Sequence, residues 1–183
     1  MSLIETPICN FNEPIQDFSL LSTEEITVSL KDIQGPEGTL IMFICNHCPY
    51  VQAIMKEAVT ISNTIKGLGI HTVAIMPNDT EYESEDSFDN MKLFSKQNHF
   101  LFPYLLDESQ EVARKFGAVC TPDFFGYNNK GQLQYRGRIR RLNHLTPVME
   151  GESELLSAMK LIASNGQGPK KQFASMGCSI KWK

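Results

Sequence analysis

Two apolar runs lie on either side of a segment with helical periodicity. The runs are residues 39–44, TLIMFI, and residues 70–76, IHTVAIM. Between them, apolar residues recur at spacings of three and four from Val51 to Ile65, and two glycines follow. Continuous apolar runs are typical of strands buried on both faces of a sheet. The pattern therefore predicts a β-α-β unit whose two strands are parallel.

Shorter patterns extend this unit in both directions along the chain. Two alternating runs around STEE, within residues 17–30, predict an N-terminal β-hairpin. After the β-α-β unit, the patterns predict a helix and strand, a short helix, a second hairpin around NNKG, and a last amphipathic helix in residues 152–164. We therefore expect an α/β fold with an inserted helix and strand.

Length and charge narrow the class of protein. A chain of 183 residues favours one domain. We expect that domain in residues 1–168, and a C-terminal tail in residues 169–183 that packs on it. The net charge is -4, from 17 basic and 21 acidic residues. Because no dense basic stripe is present to neutralise phosphates, we expect no nucleic-acid partner.

The N-terminal sequence and the cysteine count indicate a compartment. Residues 1–14 contain neither a basic region nor the apolar run of a signal peptide, and no apolar run approaches the length of a membrane span. Five cysteines are too few and too oddly numbered for a secreted disulfide scaffold. We therefore expect a cytoplasmic protein without a membrane partner, in which closely spaced cysteines are catalytic or bind a metal.

Such a cysteine pair, Cys45 and Cys48, follows the first buried strand in the segment CNHCPY. A cysteine at a helix N-terminus has a lowered thiol pKa, and only the thiolate attacks. One turn of helix brings the second sulfur close enough to resolve a mixed disulfide. We expect Cys45 to be the nucleophile, more exposed and more acidic than Cys48, which would resolve the intermediate in a Cys45–Cys48 disulfide.

Further candidate residues surround this pair. His47, between the cysteines, would stabilise the Cys45 thiolate when it is protonated or hydrogen-bonded. Thr121 and Pro122 begin the strand that opens the second hairpin, where a cis proline would expose backbone groups able to hold an extended peptide. Cys120 is either a third redox sulfur or a small residue that fills the site.

Three segments together resemble a known family. The segments are CNHCPY, VCTPDFF and MGCSIKWK. Each is similar to a segment in members of a peroxiredoxin-like, AhpC/TSA-related and TlpA-like subgroup of the thioredoxin superfamily. The resemblance covers the whole chain. It implies a thioredoxin-like fold, with three α/β/α layers and a mixed central sheet, an N-terminal hairpin, an inserted helix and strand, and Pro122 in the cis position.

A peroxidase is one alternative function. Peroxidatic cysteines resemble the pattern P-x-x-x-[TS]-x-x-C, but counting back from Cys45 gives Met42 and Gly38 at the two other positions. Counting back from Cys48 gives Cys45 and Ile41. Since neither register fits, dithiol–disulfide exchange is the leading hypothesis and a peroxiredoxin-like thiol peroxidase is the alternative.

A metal site is the other alternative. Cys45, His47, Cys48 and Cys120 offer soft ligands, and thioredoxin-fold copper chaperones of the Sco type likewise use a cysteine pair and a third ligand. A copper or zinc module therefore stays open, although neighbouring residues cannot all turn to one ion without strain. The leading hypothesis needs no bound cofactor. Its partners are a protein or small-molecule disulfide and an unidentified thiol reductant, and the chain acts as a monomer or homodimer.

Three other features have an unremarkable interpretation. The acidic stretch of residues 77–89 is expected to be a solvated loop without chemistry. Cys178 lies in a tail that docks as a strand on apolar surface, or it acts as a resolving sulfur. His144, near three arginines, belongs to a solvated basic loop or helps to bind an anionic substrate.

Overall fold

The computed structural model describes residues 3–183, so the first two residues of the domain expected over 1–168 lie outside the described part. The helices are α1 (Leu30–Ile33), α2 (Pro49–Lys66), α3 (Phe88–Gln97), α4 (Glu111–Phe116) and α5 (Glu154–Asn165). The strands are β1 (Leu3–Glu5), β2 (Ser19–Ser22), β3 (Thr27–Ser29), β4 (Gly38–Phe43), β5 (Ile70–Met76), β6 (Tyr104–Leu106), β7 (Cys120–Thr121), β8 (Asp123–Asn128), β9 (Leu133–Arg136), β10 (Leu142–Asn143), β11 (Thr146–Pro147) and β12 (Met176–Ser179). Within this part of the chain, no helix is both long and apolar enough to cross a bilayer.

Seven strands form the central sheet, in the order β3-β2-β6-β5-β4-β8-β9. β5 lies parallel to both β4 and β6, and the other neighbouring strands are antiparallel. The predicted β-α-β unit, the hairpin of β2 and β3, and the inserted α3 and β6 are all present. The expectation of a mixed α/β sheet is confirmed.

The apolar run of β4 fills both faces of this sheet. Leu40 and Met42 pack into a core that α2 and α5 cover, whereas Ile41 and Phe43 pack into a second core that α1 and α4 cover. All four side chains are fully buried. Each contributes about 1.5–3 kcal/mol relative to an exposed side chain. The result is the expected arrangement of three layers, with β4 in the middle.

The start of α2 places the second cysteine. Pro49 takes the first helical position, where its missing N–H removes no helical hydrogen bond, and Cys48 is the N-cap residue. Val51, Ile54 and Met55 are buried on the face of the helix that covers the sheet. Cys48 therefore lies at the positive end of an 18-residue helix.

A second, smaller sheet covers this end of the domain. It has the order β1-β12-β7, with both neighbours antiparallel to β12. β7 is separate from β8 because Pro122 interrupts what the sequence indicated as one strand, and the Thr121–Pro122 bond is cis as the resemblance implied. At Gly177, a Cβ atom would overlap the Thr121 carbonyl group. The close approach of β12 to β7 thus requires glycine at this position.

Candidate active site

The end of β4 brings the sequence motifs together. Cys45 to Cys48 form the connection from β4 to α2. Phe43, the last residue of β4, pairs with Asp123, the first residue of β8. Antiparallel pairing of β4 and β8 therefore places Thr121 and Pro122 beside the two cysteines.

Three sulfur atoms meet at this point. Cys48 Sγ lies 3.1 Å from the carbonyl oxygen of Thr121 and 2.9 Å from Cys178 Sγ. Cys45 Sγ lies 3.2 Å from Thr121 Oγ1 and is also hydrogen-bonded to Cys48. Cys45 and Cys48 are completely buried and Cys178 is nearly so. Cys48 is therefore the central sulfur, in contact with the other two.

The two cysteines of the pair differ in acidity. The pKa of Cys48 is lowered to about 5 by hydrogen bonds from the thiols of Cys45 and Cys178 and from the backbone N–H of Val51, although burial opposes this. Burial raises the pKa of Cys45 well above its usual value, and the hydrogen bond to Cys48 and the charge of Asp86 raise it further. The thiolate is thus on Cys48.

The expectation that Cys45 is more exposed and more acidic is therefore wrong. Both thiols are at 0% exposure. The helix begins at Pro49, so the N-cap position belongs to Cys48, and Cys45 lies three residues earlier in the connecting loop. As a thiol, Cys48 donates to Thr121; as a thiolate, it accepts from its two sulfur neighbours.

A buried carboxylate organises the loop between the cysteines. Asp86 accepts hydrogen bonds from His47 Nδ1 at 2.7 Å, from Asn78 Nδ2 at 2.7 Å and from the backbone N–H of Asn46 at 2.8 Å. Burial alone would raise the pKa of Asp86, but these hydrogen bonds hold it below its usual value. The pair with Asp86 in turn raises the pKa of His47.

This carboxylate corrects the interpretation of the acidic stretch. Residues 77–89 were expected to be solvated and without chemistry, but Asp86 is at 0% exposure and holds His47 and Asn46. The sequence offered one signal, since this stretch follows β5, and the carboxyl ends of the parallel strands β4 and β5 meet at the same edge of the sheet.

His47 interacts with a carboxylate rather than with solvent. Its side chain is 4% exposed, and Nε2 makes no hydrogen bond to any described residue, with the Glu83 carboxylate 3.7 Å away. The hydrogen bond to Asp86 is the main cause of the raised pKa of His47, and the nearby charge of Cys48 adds to it. The expected effect of His47 on the Cys45 thiolate stays a prediction.

Further side-chain hydrogen bonds hold the loop between Cys45 and Cys48 in place. Tyr104 donates from its hydroxyl to Asn46 Oδ1 at 3.0 Å, and Asn46 Nδ2 donates to the carbonyl of Glu85 at 3.1 Å. Gln52, in the first turn of α2, donates to the Asn46 carbonyl at 2.9 Å. The backbone between the cysteines is thus held by β6, by the acidic loop and by α2.

Cys120 lies near the other sulfurs, but its contacts do not favour a redox role. Its Sγ contacts the carbonyl oxygen of Pro122 at 3.7 Å, and burial raises the pKa of its thiol far above the usual value. A buried thiol with a raised pKa is a poor nucleophile. These contacts favour the interpretation of Cys120 as a small residue that fills the site.

A groove of about 260 Å³ opens beside the cis proline. Its walls include Tyr50, Pro122, Phe124, Leu142, His144 and Met176. Arg138 and Arg140 also line it, but their guanidinium groups bind Glu154 at 2.7 Å and Glu57 at 2.6 Å. With these cations paired, the basic loop near His144 gives little support to anion binding.

The potential metal ligands differ from the expected set. Within residues 3–183, Cys45, His47 and Asp86 have ligand atoms within 4.8 Å of one another, and Cys120 is not part of this group. Asp86 is already occupied by hydrogen bonds from three residues, one of which is His47 through Nδ1. A metal ion bound here would have to replace those hydrogen bonds.

A comparison with protein families found that residues 11–136 match the AhpC/TSA family. The chain belongs to the AhpC/TSA family. This AhpC/TSA protein is similar to an uncharacterized conserved protein from Geobacillus kaustophilus, with 37% identity, a TM-score of 0.92, and coverage of 100% of this chain and 97% of the other. It is also similar to a hypothetical protein from Sinorhizobium meliloti, with 29% identity, a TM-score of 0.89, and coverage of 98% and 97%. A search of curated proteins found no match.

A more distant similarity shows the fold of this AhpC/TSA protein. The thioredoxin domain of a thiol-disulfide oxidoreductase from Bacteroides vulgatus shares 15% identity with it, at a TM-score of 0.60, and the match covers 74% of this chain and 91% of the other. The thioredoxin-like fold and the resemblance to the AhpC/TSA-related part of the thioredoxin superfamily are therefore confirmed.

Proposed function

We propose that this protein is a thiol–disulfide oxidoreductase that uses the Cys45–Cys48 pair. The observation that carries the proposal is the position of Cys48 Sγ at the start of α2, 3.1 Å from the residue that precedes the cis proline. Its lowered pKa, about 5, keeps it a thiolate at neutral pH, and the Cys45 thiol is within hydrogen-bonding distance of it. These are the two sulfurs that disulfide exchange requires.

The reaction proceeds in two exchange steps. The Cys48 thiolate attacks one sulfur of a substrate disulfide, the substrate S–S bond breaks, and the leaving thiolate takes up a proton. Cys45 then loses its proton and attacks Cys48 Sγ, so that the mixed disulfide breaks and the second substrate thiol leaves. The substrate gains two electrons, and the protein keeps a Cys45–Cys48 disulfide. A thiol reductant returns the protein to the dithiol form by the reverse steps.

The substrate is a protein or small-molecule disulfide. The groove beside Pro122 is lined mostly by apolar and aromatic side chains, including Tyr50 and Phe124. Such a lining suits an apolar segment next to a cysteine, and binding grooves of this kind are mostly apolar with a few polar groups. The reductant is a thiol, since the oxidised pair accepts electrons by the same exchange chemistry.

Peroxide reduction is a second candidate that one contact favours. Thr121 Oγ1 lies 3.2 Å from Cys45 Sγ and supplies the hydroxyl that the sequence pattern before the cysteine lacks. However, the raised pKa of Cys45 leaves that sulfur as a thiol, and thiols react poorly with electrophiles. The guanidinium group of Arg136, on β9, is paired with the Asp123 carboxylate at 2.9 Å and is not free to stabilise a thiolate at Cys45. Disulfide exchange at Cys48 therefore has the stronger support.

A parallel challenge tests the proposal. Reduced wild type, Cys48→Ser and the control Cys120→Ser are incubated separately with insulin, with hydrogen peroxide and with zinc or copper(I) ions, and thiols are counted afterwards. We expect insulin to consume two thiols per chain in wild type and in Cys120→Ser, with no such loss in Cys48→Ser. Rapid thiol loss with peroxide but none with insulin would overturn the proposal.

A further inference from the structure

The C-terminal strand, β12, pairs with the backbone of β7, directly before the cis proline. In β12, Cys178 pairs with Thr121 and Ser179 pairs with Cys120, in antiparallel register. An extended peptide that bound beside Pro122 would use the same backbone groups of β7. A segment of the chain itself thus fills the position that a bound peptide would take.

This strand brings a third thiol to the site. Cys178 Sγ lies 2.9 Å from Cys48 Sγ, whereas a disulfide bond is about 2.05 Å long, so a shift of less than about 1 Å would join them. Both sulfurs are buried. The contact links residues 130 positions apart, so it depends on the docking of β12 and not on local chain geometry.

Hydrogen bonds on both sides hold β12 at this depth. Before the strand, Ser175 Oγ donates to the Pro122 carbonyl at 2.9 Å. After it, the backbone N–H of Lys181 donates to Asn78 Oδ1 at 2.9 Å, and Asn78 also binds Asp86. Within the strand, Gly177 allows the close approach to Thr121. The position of Cys178 is therefore set by several independent contacts.

We propose that Cys178 is a third redox sulfur, which attacks Cys48 in the Cys45–Cys48 disulfide and converts part of the oxidised protein to a Cys48–Cys178 disulfide. This inference rests on the proposed function. The Cys178 thiol loses its proton, a Cys48–Cys178 bond forms, and the Cys45–Cys48 bond breaks. Cys45 leaves as a thiolate and takes up a proton. The step moves a disulfide within the chain, so it needs no further oxidant.

The acidity of Cys178 changes in the direction that this step needs. In the reduced protein, burial and the hydrogen bond to the Cys48 thiolate raise the pKa of Cys178 to about 12. Oxidation of Cys48 removes that thiolate and its negative charge, while the positive charge of Lys181 stays nearby and lowers the pKa. Cys178 therefore becomes a better nucleophile once a disulfide is present to attack.

The Cys48–Cys178 disulfide would also control access to the site. While it is intact, β12 is tied over Thr121 and no external peptide can pair there. Once it is reduced, only hydrogen bonds and packing hold the strand, and a substrate can displace it. In the oxidised protein, the third sulfur thus competes with the external thiol reductant for Cys48.

Variants that lack Cys45 isolate the attack of Cys178 on Cys48, with glutathione as the leaving thiol in place of Cys45. Cys45→Ser, Cys45→Ser/Cys178→Ser and the matched control Cys45→Ser/Cys120→Ser are incubated with glutathione disulfide, and intact masses and disulfide-linked peptides are determined. We expect Cys45→Ser and its Cys120 control to lose glutathione and form a Cys48–Cys178 disulfide. The variant without Cys178 should keep one glutathione on Cys48.

The wild-type protein provides a second measurement that does not depend on the folding of variants. After oxidation by glutathione disulfide, peptide mapping should detect both Cys45–Cys48 and Cys48–Cys178 linkages. Retention of glutathione on Cys48 in Cys45→Ser, or a wild type with only the Cys45–Cys48 linkage, would overturn this inference and leave the proposed function intact. A wild type without any intrachain disulfide would overturn the proposed function itself.

Discussion

The imidazole of His47 donates from Nδ1 to the Asp86 carboxylate at 2.7 Å, and the carboxylate is completely buried. This hydrogen bond joins the loop between the two cysteines to the acidic stretch that follows β5. Because Asp86 also holds Asn46 and Asn78, it connects the cysteine loop to the backbone of Lys181, beyond β12. A single carboxylate therefore connects the loop between the cysteines, the segment after β5 and the residue that follows β12 by two positions.

Asp86→Asn should destabilise the protein. The change removes the charge that pairs with His47 and leaves a buried imidazole without its carboxylate partner. Loss of one partner of a buried ion pair costs about 3–5 kcal/mol. The free energy of unfolding in urea measures the effect. Asp89→Asn, at an exposed position on α3, should change it by less than about 0.5 kcal/mol. Equal stabilities for Asp86→Asn and wild type would contradict the role of Asp86.

The His47–Asp86 pair should make stability depend on pH in two separate ranges, one set by each partner. The pKa of His47 is raised from 6.5, so its contribution is complete below that value and is lost as the pH rises through the raised pKa. The pKa of Asp86 is lowered from 3.8, so its contribution is complete above that value and is lost as the pH falls through the lowered pKa. The difference in unfolding free energy between wild type and His47→Gln should therefore be largest between these two limits. A constant difference across the whole range would refute this assignment.

Reduced protein should contain a thiolate that titrates near pH 5, because Cys48 accepts hydrogen bonds from Cys45, Cys178 and Val51. The ultraviolet absorbance of the thiolate follows this titration. Cys48→Ser should abolish the transition near pH 5, and Cys45→Ala should move it to higher pH because the hydrogen bond from Cys45 is the largest cause of the shift. Cys120→Ser should leave it in place. If the transition persists in Cys48→Ser but disappears in Cys45→Ala, the thiolate has been assigned to the wrong sulfur.

Gly177→Ala should loosen β12. A Cβ atom at this position overlaps the Thr121 carbonyl, which belongs to the backbone and cannot move aside cheaply. We expect faster alkylation of Cys48 by iodoacetamide in the variant, since the strand that covers the sulfurs is displaced. Gly67→Ala is the matched control, because its Cβ would lie 3.4 Å from the nearest atom, Thr64 O, and its backbone is helical. Alkylation at the same rate in both variants would show that β12 does not limit access.

The central part of the fold was predictable because its signals are local. The run that predicts β5 has the same bounds as the strand Ile70–Met76, since buried strands of an α/β sheet are mostly apolar and this one is flanked by Gly69 and Pro77. The periodicity from Val51 to Ile65 that predicts α2 also fits, and the helix begins two residues earlier, at Pro49. This start matters, because it makes Cys48 the N-cap residue.

The parts that the sequence did not reveal depend on distant contacts. Asp86 acts on His47 across 39 positions, and Cys178 meets Cys48 across 130. Neither spacing forms a motif, and the acidic stretch has the composition of a solvated loop. β7 and β12 contain two and four residues, too few for a period to be recognised. The burial of one acid and the depth of one tail strand emerge only when the sheet is assembled.

Equilibration of wild-type protein with glutathione buffers of increasing oxidation tests the central claim most directly. Samples are trapped with acid, alkylated and mapped for disulfide linkages at each buffer composition. The account predicts a two-electron transition in which reduced Cys48 passes to an intrachain disulfide, with Cys45 and in part with Cys178, without lasting glutathione on Cys45 or Cys48. Cys48 that stays a thiol throughout, or that carries only glutathione while Cys45 remains reduced, would contradict the claim that these two residues form a redox pair.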